Sequence, residues 1–189
     1  MNTKHLIFGF LVLGVLFWGC CEEKNYYNEI ESATIVNSVK DMALPDSSEI
    51  SFSRFRINIL MQTITFAKYT PSFFIQKSYA FSCYYDYLGL KKRVTKFELT
   101  CDKDILGTQA GKDLSKYLIF YYAYNNPQEL GITKEVYLDK VNNQEHFYNF
   151  TMRFKEKILS DEYLKFYLHI ELEDSTALKS QTNYVKIIK

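Results

Sequence analysis

The sequence predicts an all-β chain, an antiparallel sandwich with at most one short helix. Three observations carry that prediction. Apolar residues recur at every second position in several separate segments, the period of a half-buried strand. Aromatic residues reach 17%, with 16 Tyr and 15 Phe, and such side chains fit a pleated surface well. No window of helical length keeps a continuous apolar stripe at 3.6-residue spacing.

The first segment is an address rather than structure. Lys4 and His5 precede an unbroken apolar run from Leu6 to Trp18, followed by Gly19 and Cys20. A basic start, a short apolar core and a small residue describe a secretory signal over 1–19. As a helix that run reaches about 20 Å, short of a hydrocarbon core of about 30 Å, so a signal fits better than a permanent span. Residues 20–30 read as a polar tether, and 31–189 as a single domain.

Within the domain, 31–42 is ambiguous: Ile35, Val36, Val39 and Met42 fit one helical stripe, while Ala33 to Val36 suits a strand. A strand is preferred, with a loop through Leu44 to Ser48. Phe55, Ile57, Ile59 and Met61 then alternate with Arg54, Arg56, Asn58 and Leu60. Tyr79, Phe81 and Cys83 form the next alternation, and Thr95, Phe97, Leu99 and Cys101 another. Leu118 to Tyr124 is a solid apolar run, expected to be a strand buried on both faces. A short helix is expected at Asp113–Lys116. Segment 127–145 allows either a short strand or a helical turn through Val136, Leu138 and Val141. Tyr148, Phe150, Met152 and Phe154 alternate cleanly, as do Leu164, Phe166, Leu168, Ile170 and Leu172. Val185 to Ile188 closes the series. About seven strands with polar connections argue an immunoglobulin-like or Greek-key β-sandwich.

Phe17-Trp18-Gly19-Cys20 resembles a bacterial lipobox, the signal cleaved before a cysteine that is then lipidated. Cys20 is therefore the expected lipidation site and the membrane, through that lipid, the expected first partner. The next residues, Cys21-Glu22-Glu23-Lys24, resemble the acidic export signal of Bacteroidetes surface lipoproteins, which nominates Glu22 and Glu23. Tyr79-Ala80-Phe81-Ser82-Cys83, Val94 to Asp102 and Ala110-Gly111-Lys112-Asp113-Leu114 resemble a group of uncharacterised Bacteroidetes lipoproteins. The departures are Ser82 and Cys101, where that group carries Ala and Ser. The resemblance implies a β-sandwich lipoprotein with no assigned substrate. Asp174-Ser175-Thr176 resembles the pattern those bacteria modify with O-linked glycans, making Ser175 a candidate site. The same three residues also suit a turn.

The remaining chemistry is sparse. Export permits a Cys83–Cys101 disulfide, formed if a loop centred on Lys92 sets the two residues opposite each other. A turn at Asp86–Gly89 would instead set Cys83 opposite Lys92. His146 and His169 lack metal-ligand spacing, and His169, Glu171 and Glu173 read as a charged strand face, so no metal and no cofactor is expected. No nucleophile elbow, phosphate loop or catalytic cysteine context is present, and the expectation is a non-enzyme. With 23 basic and 22 acidic residues, nucleic acid is not an expected partner. Lys91-Lys92-Arg93 reads as a solvated cationic turn. Two tyrosine groups, Tyr84/Tyr85/Tyr87 and Tyr121/Tyr122/Tyr124, could pack in the sheets or contact a protein or glycan ligand.

Together these features describe a lipid-anchored outer-membrane protein, facing outward, with a binding or structural role. The alternatives are a glycan- or peptide-capturing accessory module, a subunit of an envelope assembly, and a periplasm-facing orientation.

Overall fold

The computed structural model describes residues 24–39, 42–68, 85–122, 131–143, 148–158 and 160–189. The expected signal at 1–19, Cys20, Glu22, Glu23, the expected alternation at 79–83, Tyr84, Tyr124 and His146 lie outside the described residues. Among these residues the chain is all-β and sandwich-like, as its periodicity predicts. The strands are β1 (Lys24–Val39), β2 (Met42–Ala43), β3 (Ser48–Ser51), β4 (Arg56–Lys68), β5 (Tyr85–Leu90) and β6 (Val94–Cys101). They continue with β7 (Leu118–Tyr122), β8 (Asn149–Phe154), β9 (Phe166–Leu172), β10 (Ala177–Gln181) and β11 (Val185–Ile188). Among the described residues one α-helix, α1, spans Lys134–Asn143, and a 3₁₀ turn spans Ser115–Tyr117.

Among the described residues the chain falls into two compact units. One holds the described residues of 24–27, 66–68 and 85–88, and the other holds the rest, from 28–65 and 89–189. In the first, Tyr26 and Tyr87 bring their rings to 5.4 Å. Lys24 to Ile30 belong to β1, so the strand begins inside the stretch read as tether. Its partner there is β5, a pairing that no local pattern announces.

In the second unit, one sheet runs β2-β1-β4-β8-β7 and another β10-β9-β6, all antiparallel, while β11 pairs β3 in parallel. Seven strands were expected; the additional ones are mostly short, too brief to show a period. The inward face of β4 is Phe55, just before it, then Ile57, Ile59 and Met61. Those of β8 and β9 are Phe150, Met152, Phe154 and Phe166, Leu168, Ile170, Leu172, in the phase the sequence predicts.

β6 departs by one step. Thr95 is exposed and Val94 buried, because the register with β9 shifts between Val94 and Lys96 before Phe97, Leu99 and Cys101 resume the inward phase. β7 departs too: Leu118 and Phe120 are buried, whereas Ile119 and Tyr121 are only half covered, lying against Gly131.

Of the ambiguous 127–145 segment, residues 131–143 are described, and they form α1 preceded by a bridge from Ile132 to Phe120. The helix buries Tyr137 and Val141, one turn apart, while Val136 is 43% exposed. Tyr137 enters the core between the sheets. Its ring stacks on Phe120 of β7 at 4.6 Å and meets Phe150 of β8 edge-on at 4.3 Å and Phe97 of β6 at 5.5 Å. A second aromatic group joins Phe166 to Phe55 and Phe154. These rings are what hold the two sheets face to face.

Candidate functional site

Cys101 is a free, buried thiol, so the disulfide with Cys83 that the sequence allowed is not formed. The physical reason is pairing: β6 lies beside β9, setting Cys101 opposite Phe166, and β5 lies beside β1. A hairpin centred on Lys92 therefore does not exist. Burial pushes the Cys101 thiol up to about 12, and its Sγ lies 3.5 Å from Asp102 Oδ1. It behaves as a small apolar residue.

The cationic turn is not a free patch. Lys92 bridges Glu29 at 2.7 Å and Asp174 at 2.9 Å, Lys91 meets the same Glu29 at 3.1 Å, and Arg93 donates to Asn143 Oδ1. Lys92 thereby ties β1 to the β9–β10 turn. Hydrogen bonds from Lys92, and from Thr176, hold the Asp174 carboxyl down to about 2. In that turn Ser175 sits exposed at φ 65°, donating its N–H to Leu172 O, and Thr176 N donates to Asp174 Oδ1. Asp174-Ser175-Thr176 thus does the work of a turn, with the Ser175 residue on the surface.

A second polar cluster closes the outer edge of β6. Asp113 Oδ1 accepts the N–H groups of Leu99 (3.2 Å) and Ser115 (2.9 Å). Its Oδ2 accepts the Ser115 hydroxyl at 2.5 Å and Lys134 Nζ at 3.3 Å, and Lys134 also donates to Ser115 Oγ at 2.9 Å. Burial alone would raise the Asp113 carboxyl; the Ser115 bonds and the Lys134 charge outweigh it and hold the group below its ordinary range.

A serine, a lysine and an aspartate within bonding distance invite a nucleophile reading. Here, however, Ser115 is 3% exposed, its proton is given to Asp113 and its lone pair accepts from Lys134. The cluster is a clamp joining β6, the 3₁₀ turn and the first residue of α1. Further along the same edge Asn142 accepts from Val94 N at 2.7 Å and donates to Val94 O at 3.0 Å, replacing a neighbouring strand.

The outward face of the β4-β8-β7 region carries residues that sequence reading passed over. Register sets Ile57 opposite Met152 and Ile119 opposite Arg153, so Arg56, the next residue of β4, stands across from Arg153. On the neighbouring rung Asn58, Thr151 and Tyr121 line up. Thr151 Oγ1 donates to Asn58 Oδ1 at 2.9 Å, and the Arg153 guanidinium lies 4.9 Å from the centre of the Tyr121 ring. Arg56 donates to Phe55 O at 2.6 Å. Burial, with the Arg153 charge beside it, draws the Arg56 guanidinium down to about 10, still fully charged at neutral pH. The signal that could have found this pair is plain in hindsight: Arg56 and Arg153 each occupy the polar phase of an otherwise clean strand.

The other nominated residues do not converge. His169 faces Glu98 across the β6–β9 pair at 3.5 Å, and Glu98 also holds Lys96. Among the described residues, no group of three His, Cys, Asp or Glu side chains is placed to hold a metal ion. Among them, too, no helix is long and apolar enough to cross a membrane. Of the two tyrosine groups, Tyr121 is half-buried beside Arg153 and Tyr87 pairs with Tyr26. No family model, no curated protein and no solved structure matches this chain.

Proposed function

We propose that the protein is a non-enzymatic, lipid-anchored envelope lipoprotein, carried on the outer membrane with its body facing outward and serving a binding or structural role. The observation that carries the reading is the run from Lys4 through the apolar 6–18 to Gly19-Cys20, with Glu22 and Glu23 behind it. The start of β1 at Lys24 adds a length: four residue steps from Cys20 span at most about 14 Å, so a lipidated Cys20 would keep the first strand close to the headgroups. The Ser115–Lys134–Asp113 clamp, with both functions of its hydroxyl occupied, supports a non-enzyme. The side-chain caps along the outer edge of β6 favour a self-contained body over an assembly subunit.

Two measurements test the proposal. Cys20→Ala should abolish incorporation of a fatty-acid label and release the protein from the membrane fraction; a membrane-bound, unlabelled wild type would overturn the anchor. Protease added to intact cells should remove the wild-type body but spare the Glu22→Ala/Glu23→Ala variant. Protection of both would place the body in the periplasm and overturn the outward orientation.

A further inference from the structure

We infer that the outward face of β4, β8 and β7 is a binding site for an acidic saccharide, whose carboxylate or sulfate oxygens sit between Arg56 and Arg153. Two guanidinium groups on directly opposed positions of neighbouring strands repel, and such like-charge pairs destabilise a sheet. Among the described residues neither guanidinium has a carboxylate partner to cancel that repulsion; Arg153 has the Tyr121 ring beside it and Arg56 the Phe55 carbonyl, neither of them an anion. An oxyanion between them would cancel that repulsion and accept paired hydrogen bonds from two planar forks, the geometry for which arginine is suited.

The neighbouring rung identifies the carrier. Asn58 accepts from Thr151 through Oδ1, so its Nδ2 hydrogens remain to donate, and Tyr121 adds a half-exposed phenol. Amide donors, a hydroxyl and an aromatic edge beside an anion pocket suit a hydroxylated ring bearing an acid group. A purely apolar carrier would leave these groups unmatched. The inference goes beyond the anchoring proposal and does not depend on it, since every residue named lies in the larger unit.

The test is calorimetric titration of the full-length, detergent-purified protein at constant ionic strength. The probes are trigalacturonate, a sulfated disaccharide, a neutral galactose trimer, inorganic sulfate and phosphatidylglycerol vesicles. Saturable binding of an acidic saccharide, with the neutral trimer silent, is expected. Arg153→Gln should weaken it at least about tenfold, the loss of one charged hydrogen-bond donor group. Arg56→Lys, which keeps the charge and removes the fork, should also weaken it.

The Tm separates recognition from a structural role. Arg153→Gln removes a repulsive neighbour, so it should unfold at or above the wild-type temperature. Several results would overturn the inference: no binding of either acidic saccharide, unchanged affinity in Arg153→Gln, binding of inorganic sulfate or vesicles alone, or a fall in Tm that accompanies the loss of binding.

Discussion

Replacing Tyr137 by Phe should stabilise the protein. The Tyr137 ring is wholly buried among Phe97, Phe120 and Phe150, and among the described residues its hydroxyl has no hydrogen-bond partner. A buried hydroxyl without a partner costs about 1–3 kcal/mol, while the three ring contacts survive the change to Phe. For a chain of this size that gain raises Tm on the order of 2–10 °C. Removing the ring is a different matter: Tyr137→Ala should lose about 3–5 kcal/mol.

The pH dependence gives an independent reading. Burial holds the Tyr137 phenol protonated far above its ordinary value. The unfolded chain would release that proton near pH about 10, so wild-type stability falls as pH rises beyond it. Tyr137→Phe lacks that contribution and should show a shallower alkaline decline. Thermal and urea unfolding at neutral and alkaline pH measure both effects. A Phe variant less stable than wild type by about 1 kcal/mol or more would mean the hydroxyl is satisfied, and would refute the argument.

Three further predictions follow from the same geometry. Asp113→Asn should cost about 1–2 kcal/mol at this half-exposed site, because the carboxylate gathers four donors from three elements. Since the folded carboxyl is held below its ordinary range, its contribution is complete above the unfolded value and lost as pH falls through the folded one. The acid limb of the wild-type stability curve should therefore be steeper than that of Asp113→Asn, which unfolding midpoints between pH 2 and 6 would report. Gly89→Ala should destabilise by about 1–3 kcal/mol: Gly89 sits at φ 100°, and an added Cβ would lie 2.7 Å from the Asn142 carbonyl oxygen of α1. Equal urea midpoints for the two proteins would contradict that close approach. Cys101 should resist alkylation in the folded state and label only in denaturant, as peptide mass mapping with and without urea would show; fast native labelling would mean the thiol is not buried.

The inward faces of β4, β8 and β9 could be read directly, because a strand's two-residue period is local and each alternating residue faces the core whatever lies beside it. Position 95 is the exception that proves the dependence on pairing, since one shift of register against β9 was enough to turn Thr95 outward. The helix at 134–143 was only half legible. Its buried contribution is two residues, Tyr137 and Val141, and a stripe that narrow is indistinguishable from a chance spacing until the aromatic pocket that receives Tyr137 is present.

Strand partners were beyond reach altogether. That β6 lies against β9 and β5 against β1 depends on contacts far apart along the chain, and with those partners went the fate of Cys101, the ion-pair bridge of Lys92 and the clamp at Asp113. The proposed signal and lipobox stand at the other extreme, since a linear sequence is itself what export machinery recognises. Arg56 and Arg153 show the division most clearly. Each is visible alone as an outward residue on a strand, but their meeting as unneutralised neighbours exists only because β4 and β8 pair in one register. Alternation is a property of one segment, whereas a site is a property of several, and only folding sets their distances.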